Sequence, residues 1–83
     1  MDDFYFGREE MKLELKKIYE NIGLQIRNKR KAKNLTLEDL AEKCGREWSY
    51  ISQIERGKSI PSIETLFRVC NALEISIADL FKI

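Results

Sequence analysis

The stretch 37–56, LEDLAEKCGREWSYISQIER, constrains the fold of this chain more than any other. Ala41 is small where two helices must approach closely. Gly45 follows four residues later, free to take the positive φ of a tight turn, which a Cβ would penalise. Ile51 and Ile54 are three residues apart and so share one face of a helix. Leu40 takes the matching place on the helix before it. Two short helices crossing steeply over a turn at Gly45 satisfy all of these positions, with spans of about 37–44 and 47–55.

The surrounding segments read as further helices. From about Arg8, Met11, Leu15, Ile18, Ile22 and Ile26 recur at intervals of three and four, an apolar stripe with helical period. Only Gly23 argues against one long helix over about 8–33, since an internal Gly costs roughly 1 kcal/mol against Ala. One long helix or two nearly continuous ones are expected. Leu13, Tyr19 and Leu24 lie off the stripe and hint at a second buried surface. Phe4, Tyr5 and Phe6 stand near the N-terminus and call for cover, from their own domain or from a partner subunit.

Lys33 and Asn34 end the first helix, Asn being tolerant of the left-handed conformation. Thr36 then caps the second, with Asp39 three residues on as a capping-box variant. Glu47 suits the N-terminal dipole end of the third. The segment 57–61 is a loop holding the only Pro. Ser62 caps a fourth helix with Glu64 in its first turn. Its broad apolar face comprises Ile63, Leu66, Phe67, Val69, Cys70 and Leu73. Ser76 and Asp79 read as another capping box, opening a short fifth helix with Leu80 and Phe81 inward. There is no strand pattern, so the expected fold is all-α.

At 83 residues the expectation is one domain with a modest core. No apolar run approaches the ~18 residues of a membrane span. No leader pattern directs export, so a cytoplasmic location is expected. Cys44 and Cys70 stand apart and there is no His, so neither a metal site nor a cofactor is expected. Both cysteines fall on apolar helix faces and read as small core residues in a reducing compartment. With no His, no Gly-rich phosphate loop and no nucleophile–base set, an enzyme is disfavoured.

The net charge of +1 conceals an uneven distribution. Residues 1–20 carry four bases against six acids, and 59–83 carry two against three. Residues 21–58 carry nine bases against five acids. Arg27, Lys29, Arg30, Lys31 and Lys33 form a run with no acid between Asn21 and Thr36. Such a run reads as a solvated helix face or as part of an electrostatic footprint for phosphates. Likewise, the 37–56 unit fits an αα-hairpin of a small bundle or a helix-turn-helix, whose second helix enters the DNA major groove.

Over about residues 22–82 the sequence resembles the phage-repressor-like helix-turn-helix family, also called the xenobiotic-response-element type. The resemblance rests on IGLQIR at 22–27, LTLEDLA at 35–41, SYISQIERG at 49–57, PSIETL at 61–66, and the later Ala72-Leu73 and Leu80-Phe81. It implies a compact five-helix repressor-like domain over 21–83; residues 1–20 lie outside the resemblance and read as an extension of the first helix, a candidate dimer contact on the strength of the off-stripe Leu13, Tyr19 and Leu24. It implies a homodimer binding palindromic double-stranded DNA through the helix at 47–55. By position, Trp48, Ser49, Ser52 and Gln53 would face the bases. Thr36, Leu37, Tyr50, Arg56 and Lys58 would approach phosphates; Lys33, from the basic run, and Arg46, outside the family pattern, are further phosphate candidates. Arg30 and Glu55 would form a structural ion pair.

Three positions depart from the family pattern. Leu37 stands where Gln often contacts a phosphate, though backbone amides there still can. Arg46 stands where an apolar residue is common, and Glu47 where Ser or Thr is. Trp48 either contacts thymine methyls or folds back over the space left by Arg46. Gln53 is the strongest candidate base reader, because Gln pairs in bidentate fashion with adenine N6 and N7. The expected function is a compact repressor or a regulator like the controllers of restriction-modification systems. The alternative is an antitoxin-like module that binds a protein partner and autoregulates through the same domain.

Overall fold

The computed structural model describes residues 7–81; the aromatic residues at 4–6 lie outside them. α1 runs unbroken over Arg8–Ala32. It crosses residue 20, where the expected extension meets the expected domain. Glu9 and Glu10 sit in its first turn and Lys29, Arg30 and Lys31 in its last, each charge opposing the helix dipole. Asn34 takes the left-handed conformation, φ 58°, and releases the chain toward α2.

α2 spans Leu37–Cys44. Its capping box is complete. The Asp39 N–H donates to Thr36 Oγ1 at 3.0 Å, and the Thr36 N–H donates to Asp39 Oδ2 at 2.9 Å. The Thr36 bonds hold the Asp39 carboxyl below its usual range. Gly45 closes the helix at φ 68°, and the Arg46 N–H returns to the Ala41 carbonyl at 3.0 Å. α3 spans Trp48–Glu55, one residue shorter than expected. Glu47 has extended backbone and caps the helix without a side-chain bond.

α4 spans Ile63–Leu73 and is capped by Ser62, whose Oγ accepts from the Thr65 N–H at 3.1 Å. It ends at Glu74 in the left-handed conformation, φ 57°. The fifth element is not an α-helix: Ile77–Phe81 is a 3-10 turn. The Asp79 N–H bonds back three residues to the Ser76 carbonyl, and the Asp79 carboxylate takes the Ser76 N–H. Five residues are too few to establish the four-residue ladder, and 3-10 geometry serves short runs.

One core joins all five elements. It comprises Ile22 and Ile26, Leu40, Ala41 and Cys44, Ile51 and Ile54, Leu66, Val69, Cys70 and Leu73, and Leu80. Cys44 and Cys70 are free thiols within it. Burial pushes both thiols above their usual range. Three expectations about burial are corrected. The α1 stripe reaches the core only at Ile22 and Ile26, because the helix outruns the bundle, leaving Met11, Leu15 and Ile18 exposed. Ile63 and Phe67 face outward on α4, whose buried face is the narrower strip from Thr65 to Leu73. Leu80 is buried but Phe81 is half exposed, since neighbouring 3-10 residues point in different directions.

Gly23 is buried, and the carbonyls ending α3 press against it. Gly57, at φ 71°, lets the chain leave α3 against Glu20; a Cβ there would stand 2.9 Å from the Glu20 Cα. Among the described residues no helix is long and apolar enough to cross a membrane, and no side-chain cluster could hold a metal ion.

Candidate nucleic-acid interface

α3 divides cleanly around its circumference. Ile51 and Ile54 enter the core and Tyr50 packs on its edge. Trp48, Ser49, Ser52, Gln53 and the following Arg56 lie three or four residues apart on the other side, so they share a face. Ser49, Gln53 and Arg56 are exposed, Ser52 is half-buried, and Trp48 is 52% exposed. Trp48 therefore does not fold back beneath the turn. That space is taken by Arg46, whose Nε donates to the buried Thr65 Oγ1 at 3.2 Å and whose Nη1 donates to the Gly45 carbonyl. The Arg46 Nη2 also lies 3.8 Å from Glu64.

The far end of α3 is locked to α1. Arg30 Nε and Nη2 donate to the two Glu55 carboxylate oxygens at 2.7 and 3.0 Å. The Arg30 Nη1 donates to the Leu35 carbonyl at 2.9 Å. Both side chains are nearly buried, at 10% and 5% exposure. The hydrogen bonds to Glu55 raise the Arg30 pKa further above its ordinary value. One guanidinium thus ties together α1, the α1–α2 loop and the end of α3. A bidentate fork fixes angle as well as distance, so it sets the direction in which α3 projects.

Exposed cations follow α3 directly at Arg56 and Lys58, and others stand toward the end of α1 at Arg27, Lys31 and Lys33. Lys33 pairs with Glu74 across 3.2 Å, but both groups are exposed, and such pairs hold weakly. Thr36 is exposed at the start of α2, while Leu37 is half-buried and packs against the core.

Two contacts had no local signal in the sequence. Ser59 Oγ donates to Gln53 Oε1 at 2.8 Å. This steadies the amide and leaves a second lone pair on Oε1 and both amide protons. Arg68 reaches the Cys44 carbonyl at the end of α2 with Nη1, and holds Glu64 with Nε and Nη2. The Ser59–Gln53 and Arg68–Cys44 contacts depend on the path of a loop or the packing of two helices, whereas Arg68 and Glu64 are one turn apart on α4.

A short helix held at a set angle by its neighbours across a tight turn, polar face outward and followed directly by the exposed cations Arg56 and Lys58, defines a helix-turn-helix domain. The chain belongs to the helix-turn-helix family HTH_3, whose family model matches residues 26–80. It is 43% identical over 62 residues to the HTH-type transcriptional regulator SinR of Bacillus licheniformis, an alignment covering 74% of this chain and 56% of the relative. The chain thus spans little more than half the length of that relative.

Two solved structures share the fold. The restriction-modification controller protein C.AhdI from Aeromonas hydrophila matches with a TM-score of 0.74 at 33% identity, over 76% of this chain and 96% of that one. The biofilm master regulator SinR, solved in complex with DNA, matches with a TM-score of 0.70 at 42% identity, over 74% of this chain and 98% of that one.

Proposed function

We propose that this protein is a sequence-specific DNA-binding transcriptional regulator. It binds a palindromic operator as a homodimer, each copy placing α3 in a major groove. The supporting observation is the outward face of Trp48, Ser49, Ser52 and Gln53 on a helix fixed in angle by Arg30 and Glu55. The family supports the same reading, since SinR has been solved with DNA and its members named above are regulators rather than enzymes.

Gln53 reads adenine through its amide, a contact worth about 1–3 kcal/mol against a wrong base. Trp48 lies against thymine methyls. Ser49 and Ser52 bond to bases or to the nearest phosphates. Tyr50, Arg56, Lys58 and Lys33 contact the backbone together with Thr36 and the amide N–H groups at Leu37, where the α2 dipole also favours an anion. Arg46, already committed to Thr65 and Glu64, adds positive charge near the turn. The protein acts in the cytoplasm as a compact repressor or controller-like regulator.

Selection of duplexes from a random pool at about 150 mM salt tests this, since that salt suppresses nonspecific phosphate binding. An inverted repeat with half-site centres about 10 base pairs apart is the expected result. Comparable binding to every sequence under those conditions would overturn it.

A further inference from the structure

The first half of α1 lacks a cover within the described chain. Residues 8–20 run past the core, and the molecule measures 46 × 22 × 20 Å. Met11, Leu15 and Ile18 lie on one face and are 48%, 41% and 41% exposed. They continue the stripe that Ile22 and Ile26 bury farther along. Half-exposed Phe81 stands beside Ile18; with Glu14 and Lys17 they border a groove of about 270 Å³. Isolated helices shorter than ~12–15 residues are marginal in water. Residues 8–20 propagate from a packed helix and need no new nucleus, but most helical stability in proteins comes from packing of the amphipathic face, and this face is bare.

The charge pattern selects the occupant. Residues 8–14 carry two bases and three acids, and residues 15–21 carry two bases and one acid. A parallel second copy would set each half against a half of its own sign. An antiparallel one sets Glu9, Glu10 and Glu14 against Lys16 and Lys17 of the partner subunit. Leu13 and Leu24 are also exposed on α1 but lie off this stripe, and the exposed Ile60, Ile63 and Phe67 show no such charge pattern. Their charged neighbours Glu64 and Arg68 are already paired with each other.

The geometry points to an antiparallel pairing of α1 with α1 of a second copy as the homodimer interface. Met11, Leu15 and Ile18 form its seam, and the start of the second copy's α1 enters the groove beside Phe81. This inference rests on the homodimer in the proposed function and names its surface.

Sedimentation equilibrium of the full chain tests it. The native protein should be a dimer at micromolar concentrations. Leu15→Glu combined with Ile18→Glu should weaken association about tenfold or more while the domain itself stays folded, since neither residue is in the core. Lys16→Glu with Lys17→Glu should weaken it too, and adding Glu9→Lys with Glu10→Lys should restore it. Phe67→Glu should change nothing.

Loss of the dimer in Phe67→Glu but not in the α1 variants would overturn the interface. Failure of the charge reversals to rescue would overturn the antiparallel orientation. A native monomer with slow amide exchange over 11–18 would overturn it in favour of cover by the chain's own residues 1–6. Duplex selection run in parallel separates this inference from the reading beneath it. An inverted repeat selected by the α1 variants as by the native chain would sink this surface and leave the operator-binding dimer standing. A native monomer that selects a single half-site would sink the homodimer and keep α3 as the reader.

Discussion

Gly23 in α1 lies directly under Glu55 at the end of α3: a Cβ on Gly23 would stand 2.6 Å from the Glu55 carbonyl oxygen, and nearer still to that of Ile54. The residue that weakens α1 as an isolated helix is the one that admits α3 to its surface. Gly23→Ala should raise intrinsic helix propensity by about 1 kcal/mol. It should nevertheless destabilise the protein, because overpacking costs about 1–3 kcal/mol and the obstruction here is backbone. Urea unfolding should show a lower midpoint with an unchanged slope. A raised midpoint would mean that the end of α3 yields freely.

Arg30 and Glu55 form a nearly buried, bidentate pair. Arg30→Ala leaves the Glu55 carboxylate without its partner and the Leu35 carbonyl without its donor. A loss of about 3–5 kcal/mol is expected in urea unfolding. Arg30→Met with Glu55→Met should lose less than the sum of the two single changes, because no charge remains stranded. Additive losses would show that the pair does not couple.

Asp39 supplies the pH dependence of the α2 cap. Its hydrogen bonds to Thr36 hold its folded-state pKa below the unfolded value. The resulting stability is fully present above the ordinary carboxylate value of about 3.9. It is lost as pH falls through the folded value, where the carboxylate protonates in both states. The stability difference between the native protein and Asp39→Asn should therefore shrink to nothing in acid. Carboxyl NMR should show Asp39 titrating below the ordinary range. Titration at or above that range would mean the capping box is open in solution.

Ser59 holds the Gln53 amide, which separates direct reading of a base from its support. Gln53→Ala should lose about 1–3 kcal/mol of discrimination at one base pair in each half-site. Ser59→Ala should blunt the preference at that same base pair by a smaller factor and leave the others intact. Equal weakening on every duplex would place Gln53 among the phosphate contacts.

Much of the fold was legible because its signals are local. Thr36 and Asp39, Gly45, Asn34 and Ser62 each act on backbone within a few residues, and the structure has all of them in the expected roles. The buried face of α3 was legible for the same reason, since a three-residue spacing sets Ile51 and Ile54 together, while the outward place of Ser49 and Gln53 came from the family resemblance. The final element differs from the expected α-helix because capping residues announce a helix start without saying whether α or 3-10 geometry follows.

Other features could not be read from spacing. Periodicity marked Met11, Leu15 and Ile18 as buried together with Ile22 and Ile26, yet only the last two meet the core. A stripe records which residues share a face, not how far the neighbouring helices extend along it. The roles of Gly23, Ser59 and Arg46 were equally hidden, since their partners lie at the end of α3, on α3 from the following loop, and on α4. By itself the sequence determined where the helices start, where they turn and which faces they present, through interactions spanning four residues or fewer. Only the tertiary structure decided which apolar faces find cover and which polar groups are held in place, because burial depends on helices brought together from distant parts of the chain.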